Sequence, residues 1–345
     1  MLLGNGRVLG IDIGSNSIKV VELEEIGTNY QLKNIGEAPL AQGSIVDKAI
    51  VNSEEVSLTL SRLMEDLAIE ADDAAISISG DPVLLKRVSL PHMSDAELKK
   101  SIKWELEKLN TQAINEFNYD YQVLSAQDGR DMIDVLIVAA NKNVTRDYLS
   151  ILTNVGLNPV LIDLDVFSLQ SVYEVNYPES PGLLALINLG ASVTNVLIID
   201  NGESVFARDL PVGGDLYTDL IMDQMGLSYE EAEEVKHNQR AGLTDTAIEE
   251  LAYNFIQSIS YEIKNILDHF SISHSSEKVK RIMIGGGSAT LPGMKGTLST
   301  VAQSYVGILN PFRNIDYSEA TFDPEYINDI SPKMNIATGI ALRKP

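Results

Sequence analysis

The sequence predicts an α/β protein built in two lobes, and three observations support this. Segments with apolar residues at every second position, as in strands, are interspersed with segments whose apolar residues recur every three or four positions, as in helices. The stretch YPESPG at residues 177–182 is the best linker in the chain, because proline, serine and glycine cluster there between two ordered patterns. A segment near the N-terminus recurs in the second half, which indicates that both lobes share one plan.

The elements of the first half follow from alternating or continuous apolar runs for strands and from helical spacing for helices. One helix start is marked by a capping box, in which Ser94 and Glu97 precede the apolar Leu98. The predicted strands are at residues 7–13, 17–24, 29–37 and 74–80, at YDYQVLSA and MIDVLIVAAN on either side of the turn QDGRD, and at 160–166. The predicted helices are at residues 53–69, after the capping box, at VTRDYLSILTNVG, and at 166–176.

The second half is predicted by the same rules. A hairpin at residues 183–208 is followed by helices near 214–226 and 229–238. A long helix at 245–271 has apolar residues at steps of three or four, so one of its faces is expected to be buried. The strand KRIMIG, the loop GGSATLPG and a further helix come next.

The composition excludes several classes of function. With 26 basic residues against 49 acidic ones, the formal net charge of -23 predicts no binding to nucleic acid, because a phosphate backbone would be repelled. The chain has no cysteine, so thiolate metal sites, disulfides and thiol nucleophiles are excluded. Its apolar runs are too short to span a bilayer and its N-terminus does not resemble a signal peptide, so we predict a cytoplasmic protein without direct membrane insertion.

The internal repeat aligns DIGSNSIKVVEL with NLGASVTNVLII at a constant offset of 188 - 12 = 176 residues. In each copy a strand ends in a carboxylate or amide, a tight turn with glycine follows, and a second strand returns. The alternative is that any two hairpins look alike, but a constant offset over twelve residues disfavours it. The aligned pairs include Asp12 and Asn188, Gly14 and Gly190, Ser15 and Ala191, and Val20 and Val196.

The first copy has the residues of an anion site. Gly14 gives the turn backbone freedom, and the small residues Ser15, Asn16 and Ser17 let main-chain amides approach an anion closely. Lys19 would add a point charge near a phosphate. Asp12 would bind Mg²⁺ through its water shell, since this ion dehydrates reluctantly. The alternatives are that Asp12 only stabilises the turn and that Lys19 is a solvated strand residue.

These hairpins resemble the two phosphate-binding motifs of the actin, Hsp70 and sugar-kinase superfamily of ATPases. The stretch DLPVGGDLYTDLI is similar to the segment that closes over the phosphates there, and the resemblance implies that Gly213 and Gly214 present amides at a helix start. AEEVK resembles the segment of bacterial actin relatives whose acid and lysine touch ribose and base, which assigns Glu233 and Lys236. An ordinary charged helix face is the alternative for AEEVK.

Two further segments complete the resemblance. IMIGGGSATLPGM resembles the adenosine motif, in which glycines offer the purine a flat backbone surface, although a flexible loop is the alternative. NIATGIAL is similar to the second connecting helix at the hinge. The implied fold is a two-lobed actin-like one of ribonuclease H-like repeats that binds ATP and Mg²⁺, with Asp12 and Asn188 holding the metal through water. The residues assigned to the adenosine motif are Gly285, Gly286, Gly287 and Ser288.

The block at residues 86–160 resembles a subdomain shared by the cell-division protein FtsA and the pilus protein PilM. Within that pair, VSLPHMSDAELKKSIKWELEKL and LNPVLIDLDVFSLQSVYE are similar to the PilM family, and FtsA chains normally continue into a membrane-binding helix after the hinge helix. The predicted domains are residues 1–85 for the first lobe, 86–160 for the extra subdomain, 161–180 for the return to the first lobe, 181–334 for the second lobe, and 335–345 for the hinge helix.

The PilM resemblance implies a cytoplasmic ATP-binding scaffold of the type IV pilus inner-membrane platform, recruited to the membrane face by a PilN-type partner. The partner's N-terminal cytoplasmic peptide would dock between the first lobe and the extra subdomain, and other platform and motor proteins would assemble around it. VSLP and the helix of Trp104 are candidates to line this groove. For Trp104 itself, packing in the core is the preferred prediction.

One residue favours ATP binding over hydrolysis. Asn188 stands where the active enzymes of the superfamily usually place a second aspartate, and an amide neither accepts a proton nor neutralises a cation. We therefore predict a nucleotide-dependent scaffold with slow or absent turnover. The alternative is an active ATPase, either an FtsA-like cell-division protein or a small-molecule kinase. Its water-positioning residue would be Asp165, with Asp163 as the competing candidate.

Overall fold

The structure is a computed structural model that describes residues 8–109, 114–126, 131–179, 182–240, 246–274 and 277–343. Its elements confirm the predicted α/β class. The first-half elements are β1 (Val8–Ile13), β2 (Ser17–Ile26), β3 (Asn29–Pro39), β4 (Ile45–Val46), β5 (Ala49–Ile50), α1 (Ser53–Asp66), β6 (Asp73–Ile78), β7 (Val83–Pro91), α2 (Asp95–Leu109), β8 (Phe117–Ala126), β9 (Met132–Asn141), α3 (Lys142–Asn154), β10 (Asn158–Leu164) and α4 (Asp165–Asn176).

The second half begins with a hairpin and ends with a short helix. Its elements are β11 (Leu184–Leu189), β12 (Thr194–Asp200), β13 (Glu203–Leu210), α5 (Gly214–Met225), α6 (Tyr229–Arg240), α7 (Thr246–His274), β14 (Arg281–Gly285), α8 (Met294–Ala302), β15 (Tyr305–Ile308), β16 (Ile315–Asp316), α9 (Pro324–Ile330) and α10 (Asn335–Ala341). Among the described helices, none combines the length and hydrophobicity needed to cross a membrane.

The two large sheets have the same topology. The first has the strand order β10-β6-β1-β2-β3, with β16 added at one edge, and the second has the order β13-β12-β11-β14-β15. In each sheet a three-stranded antiparallel meander is followed by two strands that run parallel to its first strand. Each half of the chain therefore builds one copy of the same plan, as the repeat predicted, and this plan is the ribonuclease H-like one that the resemblance implied.

The repeat also holds in the register of the hairpins. Asp12 of β1 lies opposite Lys19 of β2, and Asn188 of β11 lies opposite Asn195 of β12, so the offset of 176 applies to both strands. The amide of Gly14 donates to the carbonyl of Ser17 at 3.0 Å. The equivalent bond in the second hairpin joins the residues at the same offset at 3.1 Å. The two turns therefore have the same hydrogen-bonded geometry.

A third, smaller sheet has the order β7-β9-β8 and is covered by α2 on one face. The prediction that Trp104 packs in the core is wrong, because its side chain is 58% exposed and the ammonium of Lys108 lies 3.0 Å from its ring centroid. Trp104 falls off the stripe of apolar residues, spaced by four, that α2 buries. The side chains that this helix buries against β9 are Leu98, Ile102 and Leu106.

The lobes are joined where α4 and α10 pack together. A Cβ on Gly339 of α10 would overlap the backbone of Ser168 in α4, and one on Gly10 of β1 would overlap the carbonyl of Ala337. Only glycine permits these close approaches, so the hinge helices lie against each other and against the first sheet. The long helix α7 buries Phe255, Ile259 and most of its predicted apolar stripe in the second core, and Leu251 of the stripe is partly buried against it.

Some elements escaped the sequence patterns. The strands β4, β5 and β16 have two residues each, and β15 and α9 are also short, so none spans enough residues to show a period. The predicted helix at 53–69 ends at Asp66, and Ala68 has a positive φ of 49°. Residues 180–181 of the linker and 127–130 of the turn QDGRD lie outside the described residues.

Candidate functional site

The two glycine hairpins face each other across a cleft between the lobes. The Oγ atoms of Ser15 and Ser192 are 2.6 Å apart, and Nδ2 of Asn16 donates to the hydroxyl of Tyr229 at 2.7 Å. Most of the residues that the sequence predicted for a nucleotide therefore share one site. The predicted residues that line it are Asp12, Gly14, Ser15, Asn16, Ser17, Lys19, Asp165, Asn188, Gly190, Ala191, Gly214, Glu233, Lys236, Gly286, Gly287 and Ser288.

The cleft is narrow where the hairpin tips meet. The volume of the cleft is about 100 Å³, whereas pockets for small ligands usually have volumes of roughly 300–1,000 Å³. The hydrogen bond between the two serines closes the gap directly. A nucleotide-sized ligand would therefore have to part the two tips, and the hinge is the place where the lobes can rotate.

The hairpin tips offer main-chain donors to an anion. Among the described residues, no acceptor pairs with the amides of Ser15, Asn16, Ala191 or Ser192. Consecutive amides of this kind form a concave site that binds phosphate oxygens. The side chains around them are small, so an anion can approach the backbone closely.

The carboxylate of Asp12 suits a hydrated cation. Its nearest partner is the ammonium of Lys19 at 3.7 Å, and no described residue donates a hydrogen bond to it. Burial raises the pKa of Asp12, the charge of Lys19 opposes this shift, and the neighbouring Asp165 adds to it. A cation would therefore favour the ionised carboxylate, and the water molecules around Mg²⁺ could donate to its oxygens.

Asn188 is held by a chain of side-chain amides. Its Nδ2 donates to Oδ1 of Asn195 at 3.2 Å, and Nδ2 of Asn195 donates to Oδ1 of Asp209 at 2.8 Å. With its nitrogen engaged, Asn188 keeps an oxygen that can accept a hydrogen bond from a metal-bound water in the cleft that this residue lines. In the described part of the chain, no group of three or more acidic or histidine side chains could hold a metal directly.

The structure distinguishes between Asp165 and Asp163, the two candidates for a water-positioning residue. Asp165, the first residue of α4, lines the cleft, accepts a hydrogen bond from Ser77 at 2.6 Å, and lies 3.7 Å from the ammonium of Lys48. Asp163 instead pairs with Arg343 at 2.6 Å and faces a different cavity. Asp165 is therefore the one of the two that can act in the cleft.

The expected role of the amide of Gly214 is wrong. This amide donates to the carbonyl of Gly190 at 2.9 Å, so it already has a partner within the protein. Gly213 lies behind the cleft, where a Cβ would overlap the carbonyls of Gly190 and Ala191. Both glycines thus allow α5 to start against the second hairpin, whereas the amides at the hairpin tips have no partner among the described residues.

Glu233 and Lys236 share one face of α6, as their spacing predicted. The ammonium of Lys236 is buried and donates to Glu233 at 2.7 Å, to Thr218 at 2.8 Å and to the carbonyl of Gly214 at 3.1 Å. These bonds fasten α6 to the start of α5. Glu233 is the more exposed of the pair, so it is better placed to contact a ligand directly.

The glycines of the predicted adenosine motif lie at the end of β14. Gly286 has a positive φ of 87°, and a Cβ there would overlap the backbone of Leu189. Gly285 does not line the cleft, since it packs against the side chain of Asn335 in α10. The loop therefore lies between the second hairpin and the hinge helix.

The sequence reasoning missed several residues of the cleft. The repeat offset of 176 gave a signal for three of them, namely Ser192, Val193 and Asn195, which align with Asn16, Ser17 and Lys19. No comparable signal marks the others, which reach the cleft from elements distant in the chain. These others are Glu37, Lys48 and Lys333.

A second cavity of about 780 Å³ lies between the small sheet, α4 and the turn that joins β12 to β13. Its apolar lining includes Leu136 and Val138 of β9. This cavity is not lined by Trp104 or by residues of VSLP, the candidates for a peptide groove, and α2 covers the opposite face of the sheet. The charged side chains on its wall are Asp120, Asp163, Glu174, Glu203 and Arg343, so acidic groups predominate.

Comparison with known proteins identifies the family. The sequence-family model described as type IV pilus assembly protein PilM matches residues 10–345. The chain belongs to the PilM family. The cell division protein FtsA of Bacillus subtilis (strain 168) is 22% identical over 370 residues, which cover 94% of this PilM-family chain and 82% of FtsA.

Solved structures show the fold. The PilM-PilN type IV pilus biogenesis complex contains a chain similar to this one with a TM-score of 0.89 at 22% identity, covering 98% of this chain and 99% of that one. MreB 5 of Spiroplasma citri, solved with AMPPNP bound, has a TM-score of 0.52 at 12% identity and coverages of 96% and 94%. The PilM family member described here thus has the actin-like fold that its motifs predicted.

Proposed function

We propose that this PilM-family chain is a cytoplasmic ATP-binding scaffold of the type IV pilus platform, and that nucleotide controls its binding of a PilN-type peptide. The observation that carries the proposal is the pair of hairpins with identical register, facing each other across the cleft between the lobes. Beside it lies a separate cavity large enough for a peptide segment. The protein would be recruited to the inner-membrane face by its partner, together with other platform and motor proteins.

ATP would lie in the cleft with its phosphates between the hairpin tips. The main-chain amides of Ser15, Asn16 and their counterparts would bind phosphate oxygens, and Asp12 and Asn188 would hold Mg²⁺ through its water shell. Mg²⁺ would neutralise charge on the phosphates. Asn188 neither adds a second negative charge nor accepts a proton, so this arrangement favours holding ATP over hydrolysing it. The AMPPNP bound by the similar MreB fold supports nucleotide in this cleft.

The partner peptide would lie in the second cavity. The edge strand β8 borders it, and β8 pairs with β9 alone among the described strands, so its outer edge can pair with an extended peptide. Apolar side chains of the peptide would cover Leu136 and Val138. The acidic wall favours a peptide that also carries a basic residue or its free amino terminus. The existence of a PilM-PilN complex for a similar chain supports this partner.

Two connections can couple the sites. Asp163 lines the second cavity and Asp165, two residues later, lines the nucleotide cleft. A displacement of the start of α4 would therefore move side chains in both sites. In addition, the hydroxyl of Tyr148 in α3 donates to the carbonyl of Lys48 in the cleft at 3.1 Å. Leu149, the next residue of α3, lines the peptide cavity. ATP would thereby shift the population of groove shapes rather than drive a chemical step.

Calorimetric titration with a synthetic PilN-type N-terminal peptide, with and without ATP and Mg²⁺, tests the proposal. We expect the affinities to differ by about fivefold or more, the lower end of ordinary allosteric coupling. Val138→Glu, inside the cavity, should abolish binding, whereas the matched Val123→Glu, on an exposed position of β8, should not. Equal affinities with and without ATP would refute the coupling, and a peptide that does not bind would refute the partner.

A second candidate is an active ATPase, either FtsA-like or a small-molecule kinase. The buried carboxylate of Asp165 in the cleft favours it, because such a group can position an attacking water. Steady-state phosphate release that disappears in Asp165→Ala while ATP still binds would support turnover. The scaffold proposal instead expects little phosphate release from the unaltered protein.

A further inference from the structure

The turn between β4 and β5 has an unusual backbone for its sequence. Its two residues, Asp47 and Lys48, both have positive φ, of 49° and 64°. A two-residue hairpin loop of this kind normally has asparagine, aspartate or glycine first and glycine second, because the left-handed conformation strains other residues, so Lys48 is the unusual one. Tertiary contacts must therefore hold Lys48 in place.

Those contacts direct Lys48 into the nucleotide cleft. Its carbonyl accepts the hydrogen bond from the buried hydroxyl of Tyr148, and its stem packs on Gly80, where a Cβ would lie 3.2 Å from Cγ of the lysine. The side chain is 13% exposed, and its ammonium lies 3.7 Å from Oδ2 of Asp165. Burial alone would lower the pKa of Lys48, but the charges of Asp165 and Asp12 outweigh it and raise the pKa to about 12, so the ammonium remains charged.

Lys48 differs from the other lysines that line the cleft. Lys19, Lys236 and Lys333 donate hydrogen bonds to Ser17, Glu233 and Glu37 at 2.7–2.8 Å. Within the described part of the chain, no acceptor lies within hydrogen-bond distance of the Lys48 ammonium, since Asp165 at 3.7 Å is too far. A largely buried cation whose ammonium has no acceptor among the described residues is suited to bind an anion that enters the cleft.

The position of Lys48 determines which part of a nucleotide it would meet. Lys236 and Lys48 lie beside different parts of the second hairpin. A Cβ on Gly214 would lie 3.3 Å from Nζ of Lys236 and 3.6 Å from the carbonyl of Gly190, whereas one on Gly80 would lie 3.2 Å from Cγ of Lys48 and 3.8 Å from Cγ2 of Val193. Lys48 also lies beside Asp165, and Lys236 beside Glu233. A nucleotide with its ribose at Glu233 and its phosphates at the tips would extend its terminal phosphate towards Lys48.

We propose that Lys48 is the residue that distinguishes a nucleoside triphosphate from a diphosphate in this cleft. Its ammonium leaves Asp165 and donates to the terminal phosphate, an interaction that a diphosphate is too short to make. The proposal rests on the proposed function, which assigns ATP to the cleft. It goes further by giving triphosphate selectivity to a residue outside both glycine hairpins.

Calorimetry with ATP and with ADP, each with Mg²⁺, tests this on the full chain. Lys48→Met keeps the stem and removes the charge, so we expect ATP affinity to fall about 10- to 100-fold, as for loss of a charged hydrogen bond. ADP affinity should change by less than about threefold. Lys48→Arg should retain the preference for ATP. Lys33→Met, which removes a lysine paired with Glu24 outside the cleft, should change neither affinity.

The outcomes separate this inference from the proposed function. If the unaltered protein binds neither nucleotide, the ATP site itself is refuted. If it binds both and Lys48→Met weakens ATP and ADP equally, or weakens neither, the role of Lys48 is refuted while the ATP site stands. Should Lys48→Met not fold, two other variants are compared, namely Asp165→Asn alone and Asp165→Asn combined with Lys48→Met. The double variant contains no carboxylate at position 165 that would lack its cationic partner. The ATP-to-ADP affinity ratio must then drop only in the double variant.

Discussion

The hairpins β1–β2 and β11–β12 have the same turn and the same register, but they place different chemistry at equivalent points. Asp12 and Lys19 of the first carry opposite charges, whereas their counterparts Asn188 and Asn195 carry neutral amides. The backbone that offers amides to an anion is thus duplicated, and the ionic groups are not. The first hairpin can hold a metal ion by charge, and the second can only orient its water shell.

The third strands extend this difference. Glu37 of β3 binds Lys19 and Lys333, so it completes a local network of charges around the first hairpin. Asp209 of β13 accepts hydrogen bonds from Asn195 and from the amide of Gly80, which belongs to the other lobe, at 2.6 Å. An acid beside the first hairpin therefore organises cations, while the acid beside the second fastens the lobes together. The two copies of the same backbone arrangement therefore have different roles.

The largest expected effect is on ATP affinity, when Asp12 or Asn188, the polar residues near the ends of β1 and β11, is replaced. Asp12→Ala should reduce ATP affinity in the presence of Mg²⁺ by about 100-fold, because the charge that attracts the metal is lost. Asn188→Ala removes a neutral acceptor and the hydrogen bond to Asn195 but no charge, so it should reduce ATP affinity by less than about fivefold. Calorimetry measures both, and circular dichroism checks that each variant is folded. Equal losses in the two variants would contradict the division of roles between the hairpins.

The turns should differ in their tolerance of a side chain. A Cβ at Gly190 would lie 2.7 Å from the carbonyl of Val193, whereas one at Gly14 would lie 3.1 Å from that of Ser17. We expect Gly190→Ala to lower the free energy of unfolding by about 2 kcal/mol and Gly14→Ala by about 1 kcal/mol or less. Urea denaturation measures both. A larger loss in Gly14→Ala would show that the two turns are not packed as described.

Only the first hairpin should make nucleotide binding depend on pH. Burial raises the pKa of Asp12, so the carboxyl holds its proton at a pH above the ordinary aspartate value of about 3.9. Protonated Asp12 cannot attract Mg²⁺, and ATP affinity should fall about tenfold for each pH unit below that pKa. Calorimetry between pH 7 and mildly acidic conditions measures this. The dependence should disappear in Asp12→Asn, and its persistence there would assign it to another group.

The smallest effect concerns the contact between the tips. Ser15→Ala and Ser192→Ala should each lower the free energy of unfolding by about 1 kcal/mol, since both remove the same hydrogen bond. A double-mutant cycle should give a coupling energy of about 1 kcal/mol without nucleotide and close to zero with ATP. The loss of coupling would indicate that ATP parts the tips. An unchanged coupling energy would mean that the nucleotide leaves this contact intact.

The local patterns predicted much of the site because its central residues stand at strand ends and turns. Asp12 and Gly14 follow an apolar run directly, and the repeat then identified Asn188 and Gly190. The prediction for Trp104 failed although its signal was present, because the residue lies off the buried stripe of α2. The prediction for the amide of Gly214 failed for another reason, since its acceptor, the carbonyl of Gly190, belongs to the second hairpin, more than twenty residues earlier in the chain.

The sequence by itself determined the two-lobed plan, the order of most elements and the paired hairpins, because apolar periodicity and turn residues act over a few neighbouring positions. Tertiary structure alone decided that Asp165 rather than Asp163 lines the cleft, and that Lys48 reaches it from a two-residue turn. It also decided that the second cavity opens on the face of the small sheet opposite α2. Each of these depends on how segments far apart in the chain pack together, which no local pattern records.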